Sequence, residues 1–313
     1  MTSSTYRLLT IIVLAAMSAV SFWGCGGPPD LGVMPARDLF DRGMDQFQRE
    51  KYLQSIETFQ TLVFNYPGES VVDTAQFYLA SSYFGEKSYI LAAVEFNRLL
   101  VNYPSSLFAP RAQLMRAVCY FEGTPKHYGL DQSDLQLAIV QFEDFIIDYP
   151  ESDAIDDARK YLSIAQNRLA RKCYESGVVY VRLRDYRGSR TYFQKVIDEY
   201  TETEYAANAT FYIADGYFKS GDWDEAHERF ENFKIVFPDH EWIDQATERS
   251  CEAMIEGGKE AFDDADYELA RTRFDRFKLI CGGDADKLEE VDEYLQQIGE
   301  APVVETPQEN AGS

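Results

Sequence analysis

The chain alternates apolar and polar positions with a helical period along most of its length. Tyr52, Ser55, Phe59 and Leu62 stand at offsets of 0, 3, 7 and 10, which puts all four on one face of an α-helix. The same frame returns at Tyr89, Ala92, Phe96 and Leu99, and again at Leu135, Ala138, Phe142 and Phe145. It continues at Tyr186, Ser189, Phe193 and Val196, at Trp223, Ala226, Phe230 and Phe233, and at Tyr267, Ala270, Phe274 and Phe277. The +7 position is always Phe and the +3 position always Ala or Ser. A recurring small residue predicts a second helix crossing closely there, and the Phe predicts the knob that fills the space beside it.

Eight residues after each Phe the helix pattern stops, at Pro67, Pro104, Pro150, Thr201, Pro238 and Gly282. Pro lacks the N–H that a helix needs, and Gly readily leaves helical φ/ψ. Eight residues after the first five stops stand Ala75, Ala112, Ala158, Ala209 and Ala246, which open a second kind of helix. Within it Tyr83, Tyr120, Tyr180 and Tyr217 share one position. Three residues earlier lies a small-residue position, held by Gly43, Gly177 and Gly258 or by Ala80, Ala117 and Ala214. The expectation is an all-α stack of six helix pairs over 36–283, with repeats near 36–67, 70–104, 107–150, 154–201, 204–238 and 241–282.

The Phe-to-Phe spacings are 37, 46, 51, 37 and 44. The Gly- and Pro-bearing stretch from Glu122 to Asp134 accounts for the longer third repeat and predicts a loop between its helices. The 51-residue spacing exceeds 37 by 14 residues. That is about four turns of helix, so the buried face is kept in register and Ile155–Arg184 reads as one long helix. Residues 284–313 read as a short acidic helix, around Leu288, Val291 and Leu295, followed by a tail of disordered composition.

The N-terminus has a different character. Arg7 precedes the uncharged run Leu8–Val20, the length of a signal-peptide core and short for a membrane span. Gly24-Cys25 after that run resembles the bacterial lipobox, although Phe22 and Trp23 depart from its usual residues. The resemblance implies that residues 1–24 are removed and that Cys25 carries diacylglycerol and an N-acyl chain. Residues 25–35, opening Gly26-Gly27-Pro28-Pro29, would be the tether. Gly26 stands where an Asp would retain such a protein in the inner membrane, so the resemblance favours the outer membrane.

Composition narrows the function classes. Thirty Lys and Arg face 53 Asp and Glu, a formal charge of −23. A surface that acidic repels nucleic acid and anionic lipid; it reflects either a self-repelling soluble surface or a basic partner. No Cys-x-x-Cys, His-Glu-x-x-His, Gly-x-Ser-x-Gly or Walker loop occurs among the five Cys and three His, so no metal, cofactor or catalytic site is expected. Asp263, Asp264 and Asp266 read as a solvated turn, lacking the Gly and closing Glu of a calcium loop. Cys119, Cys173 and Cys251 fall in helical patterns as small buried residues. An exported chain permits a Cys251–Cys281 disulfide, but pairing is not readable from sequence.

Small-x-x-Tyr in one helix, then aromatic, small, Phe and Pro around the next, resembles the tetratricopeptide repeat (TPR). Gly43, Phe59, Tyr83, Phe96, Tyr120, Phe142, Gly177, Tyr180, Phe193, Tyr217, Phe230, Gly258 and Phe274 carry that pattern as structural residues. An exported TPR lipoprotein closing its repeats on Tyr-Pro is similar to the BamD family of the outer-membrane β-barrel assembly machinery. Phe40-Asp41-Arg42-Gly43, the insert Gly129–Asp134, and Arg168-Leu169-Ala170 with Tyr174, Gly177 and Tyr180 follow that family. The likeness implies a non-enzymatic scaffold, lipid-anchored in the outer membrane and facing the periplasm. Its N-terminal repeats would engage unfolded barrel substrates and its C-terminal half the periplasmic POTRA domains of a BamA-like protein, with other assembly lipoproteins as further candidates. The alternative is a periplasmic TPR protein of envelope division, of the Tol–Pal-associated type. Those carry an N-terminal coiled coil, and no heptad run lies between Cys25 and Arg37.

A candidate substrate groove follows from surplus aromatics. Phe77, Tyr78, Tyr83 and Phe84 fall within eight residues, more than one packed helix face of about 100° accepts. Phe77 and Tyr78 point well away from the packing direction of Tyr83. They therefore face the groove or pack against helices of the neighbouring repeats.

Overall fold

The computed structural model describes Leu31 and residues 34–300; Cys25, the signal segment and the tail 301–313 lie outside the described residues. Among the described residues there are thirteen helices and no strand. They are α1 (Ala36–Gln48), α2 (Tyr52–Asn65), α3 (Val72–Gly85), α4 (Tyr89–Asn102), α5 (Ala109–Gly123), α6 (Ser133–Asp148) and α7 (Ile155–Arg182). Then come α8 (Tyr186–Glu199), α9 (Tyr205–Ser220), α10 (Trp223–Val236), α11 (Ile243–Asp263), α12 (Tyr267–Cys281) and α13 (Ala285–Glu300). The chain divides into two compact units, one up to Arg116 and one from Ala117, with the division inside α5.

In each unit the helices stack as antiparallel pairs, and the Phe of every second helix is fully buried: Phe59 and Phe96 in the first unit, Phe142, Phe193, Phe230 and Phe274 in the second. The small partners Ala92, Ala138, Ala226 and Ala270 are buried with them, as the close crossing requires. Gly43, Gly177 and Gly258 each face the Phe sixteen residues on; a Cβ there would lie 2.7, 2.6 and 2.5 Å from the rings of Phe59, Phe193 and Phe274. The repeat tyrosines Tyr83, Tyr120, Tyr180 and Tyr217 are half-buried and sit at the rim of the core. Tyr83 accepts a hydrogen bond from Gln60, Tyr180 stacks on Tyr192, and Arg190 lies 4.1 Å over the Tyr217 ring.

Two turn types alternate. Within every pair but the third, whose helices the insert connects, the chain reverses through a left-handed residue: Glu50, Lys87, Arg184, Gly221 or Ala265, with φ of 57, 59, 58, 79 and 61°. Only one of these is Gly, so four non-Gly residues bear a conformation that costs about 1–2 kcal/mol each. Between pairs, an aromatic carbonyl closes the loop, as in Ser106 N to Tyr103 O at 3.0 Å and Thr203 N to Tyr200 O at 3.1 Å. The Asp263–Asp266 segment is such a within-pair turn, and the Asp266 carboxylate accepts from Leu269 N.

The long helix is present as α7, 28 residues, and ends at Arg182 rather than Arg184 because Arg184 adopts the left-handed turn conformation. Its buried residues form two stripes about 100° apart, Ala158, Ala165 and Leu169 on one and Ala170 and Gly177 on the other. The insert between α5 and α6 is held against α7. Arg168 donates to Pro125 O at 2.8 Å, and Arg171 lies 5.1 Å over the Tyr128 ring. The acidic segment after Gly283 is no short appendage: α13 runs sixteen residues and packs Val291 and Ile298 into the core of the last pair. Tyr294 stacks on Phe274 at 5.3 Å. The two cysteines left open by sequence are joined, with Cys251 of α11 and Cys281 of α12 forming a disulfide. Cys119 is a buried free thiol whose pKa burial pushes up to about 12, while Cys173 is only half-buried.

Candidate functional site: an aromatic cleft in the first unit

The helix pairs of the first unit leave a cleft of about 480 Å³, lined by aromatics from three helices and from the loop before α5. Phe47 closes α1, Tyr52 opens α2, and Phe77, Tyr78 and Phe84 belong to α3. Phe108 precedes α5, which adds Arg111 and Met115. Ring packing builds the wall. Phe47 meets Tyr78 at 5.1 Å and Tyr52 at 5.8 Å, and Phe77 stacks on Phe108 at 4.8 Å. Gly85 makes the floor possible, because a Cβ there would lie 2.6 Å from the Tyr52 ring.

The two residues singled out from sequence stand side by side on this wall, but unequally. Phe77 is 7% exposed, held by Phe96 and Phe108. Tyr78 is half-buried and stacks on Phe59 at 6.2 Å. Phe47, Phe108 and Arg111 were not singled out, and Tyr52 was read only as the first residue of the repeat frame. Phe108 lies outside any helical period, and the convergence of helix ends depends on pair packing, so no local signal marked them. Arg111 is exposed at the cleft and has no ion-pair partner among the described residues.

Electrostatics differ sharply between the units. Residues 1–116 carry nine Lys and Arg against ten Asp and Glu, whereas residues 117–313 carry 21 against 43. The −23 is therefore almost wholly a property of the second unit. A neutral aromatic cleft with one free cation suits an apolar segment bearing a carboxylate. A second cleft of the first unit, about 560 Å³, holds Glu95 and Arg98, but these pair with each other at 2.7 Å and Glu95 also accepts from Gln76. Its polar groups are already matched.

The second unit repeats part of the aromatic set. Phe211, Tyr212 and Trp242 follow Phe77, Tyr78 and Phe108 at one constant offset of 134 residues. Phe211 meets Trp242 at 5.0 Å. Gln245 stands where Arg111 does, and Arg249, where Met115 does, lies 4.8 Å over Phe218 and pairs with Glu252. The counterpart thus lacks the free cation.

One buried cluster resembles catalytic chemistry only in composition. Ser250 donates to Glu231 at 2.6 Å and is 2.8 Å from His227 Nδ1. Here the serine bridges the other two, so no carboxylate orients the imidazole, and Ser250 is fully buried. The three brace α10 against α11.

The YfiO family, described as an outer membrane lipoprotein, matches residues 33–219. The chain belongs to that family. The match takes in the aromatic cleft, the insert and the long helix. A curated relative, outer membrane protein assembly factor BamD from Rickettsia prowazekii (strain Madrid E), is 24% identical over 225 residues, 71% of this chain and 89% of the relative. Among solved structures, the TPR2AB domain of yeast Sti1 in complex with pHSP90 is 13% identical and covers 84% of this chain and 98% of its own, at a TM-score of 0.37. A TPR protein from Parabacteroides merdae has the same identity and coverages at a TM-score of 0.31. These scores are low, and the all-α repeat architecture rests on the helix pairs themselves. Family membership gives an outer-membrane association and a general role in outer-membrane protein assembly. No described helix is long and apolar enough to cross a membrane.

Proposed function

We propose that the protein is a non-enzymatic lipoprotein scaffold of outer-membrane β-barrel assembly, anchored through acylated Cys25 and facing the periplasm. The first unit receives an extended, aromatic-bearing segment of an unfolded barrel. The second docks the periplasmic POTRA domains of a BamA-like protein. The observation that carries the reading is the aromatic cleft, whose free Arg111 can pair with a substrate carboxylate while Tyr78 and Phe84 flank an apolar side chain. An extended strand places alternate side chains on one face, so one aromatic enters while the next is solvated. The Cys251–Cys281 disulfide supports export, since such bonds persist in oxidising compartments.

A photocrosslinker placed at position 78 or 84 should capture a peptide copied from the C-terminal strand of a barrel. Arg111→Glu should weaken that peptide and leave its C-terminal amide unaffected. Capture only from positions in repeats four to six would reverse the assignment of ends. Mass spectrometry of native protein should find Cys25 as an acylated N-terminus, and an unmodified thiol there would remove the anchor.

A further inference from the structure

The charge of the second unit is itself segregated. Residues 159–195, spanning most of α7, the turn and most of α8, hold ten Lys and Arg and only two carboxylates, Glu175 and Asp185. The rest of that unit holds eleven against 41. Several cations of the segment are internally engaged: Arg168 with insert carbonyls, Arg171 with Tyr128 and Glu175, Arg190 with Tyr217 and Ser220. Arg182, Arg184 and Arg187 are not. All three are exposed at the α7–α8 turn, and none forms an ion pair with a described residue. The nearby carboxylate of Asp185 is turned back to accept from Gly188 N at 2.8 Å.

Apolar side chains stand among these arginines. Leu183 is 70% exposed and Val179 half exposed. The within-pair turns of repeats one, two, five and six differ in charge: Arg49-Glu50-Lys51, Glu86-Lys87-Ser88, Gly221-Asp222 and Asp264-Ala265-Asp266 mix charges or are acidic, so exposed Leu53 and Ile90 beside two of them stand in no cluster of free arginines. Three free guanidinium groups around an exposed Leu match an anionic lipid interface, where Arg meets phosphate and the Leu enters the acyl boundary.

We propose that the α7–α8 turn is a membrane-orienting contact that seats on a surface of anionic glycerophospholipid. The proposal rests on the outer-membrane association of the family. The anchor would supply attachment; the turn would decide which edge of the second unit faces the bilayer. The acidity of the rest of the unit does not forbid this, because charges beyond about 8 Å from the surface are screened at physiological salt. It reinforces the orientation by keeping the other edges away.

The test uses residues 25–313 with Cys25→Ser, which carry neither the acyl group nor the apolar Leu8–Val20 run, floated with phosphatidylcholine vesicles with or without phosphatidylglycerol. Flotation is expected only with the anionic vesicles and should be lost in high salt. R182E/R184E/R187E should reduce it by at least about a hundredfold, roughly a factor of five for each cation lost. R182K/R184K/R187K should retain it, and melts of both variants should match the parent. No flotation with anionic vesicles, equal flotation with neutral ones, or an unaffected charge-reversal variant would overturn the proposal; the last two would place the contact elsewhere. Outer-membrane fractionation of the native lipidated protein reads the anchor separately, so loss of the anchor and loss of the orienting contact are distinguishable.

Discussion

The ring of Phe59 fills the space that a side chain at Gly43 would need, leaving 2.7 Å for an added Cβ. Phe59 is fully buried and flanked by Phe40 and Tyr78, so it has little room to retreat. Gly43→Ala should therefore destabilise by about 1–3 kcal/mol through overpacking, although Ala is the better helix former. Gly177→Ala and Gly258→Ala should behave alike against Phe193 and Phe274. Ala92→Leu should cost a similar amount, and Phe96→Ala about 3–5 kcal/mol through the cavity it leaves. Urea titrations check all five; wild-type midpoints throughout would mean that these contacts do not hold the pairs together.

The disulfide closes a loop of sequence separation 30 that contains the whole within-pair turn of the last repeat. Restricting the unfolded chain in that way contributes about 3–4 kcal/mol. Reduction, or Cys251→Ser with Cys281→Ser, should lower the melting temperature. It should also raise hydrogen exchange in α12 and α13, which share that core cluster, more than in α8. Uniform exchange after reduction would contradict this.

His227 links stability to pH. Ser250 gives its one hydroxyl proton to Glu231, so neutral His227 must donate from Nδ1, leaving Nε2 to take up a further proton. Burial holds its pKa below the ordinary value, aided by Arg276 of α12 and Lys234, and opposed by Glu231. Glu231 is lowered despite its own burial, because Lys234 and Ser250 hydrogen-bond its charged form. The unfolded chain then takes up the histidine proton first. The stabilisation is complete above the unfolded value of about 6.5 and is lost as pH falls toward the lower folded value. Between pH 7 and pH 5 the parent should lose more stability than His227→Gln, measured as the shift in urea midpoint. Equal slopes would rule out the histidine as the source.

The six-fold register, the buried Phe of each pair and the continuity of α7 were all legible from residue spacing. Helical periodicity is local, and a knob recurring at one offset reports the same burial each time. The within-pair turns were less legible. Glu50, Lys87, Arg184 and Ala265 adopt left-handed φ without the Gly that would announce it, because packing of the two helices imposes the turn.

Sequence by itself determined that this is an all-α repeat chain with an export-like N-terminus and an acidic total charge, since composition and period need no contacts to be read. Tertiary structure decided the rest. It joined Cys251 to Cys281 and made α13 part of the last core. It divided Phe77 from Tyr78, one into packing and one onto a cleft whose other walls come from separate helices. It also left Arg111 and the α7–α8 arginines free while matching Arg168, Arg190 and Arg273 to partners. Those outcomes depend on which helix ends meet in space, and a one-dimensional pattern carries periodicity along a helix but not the pairing of groups between helices.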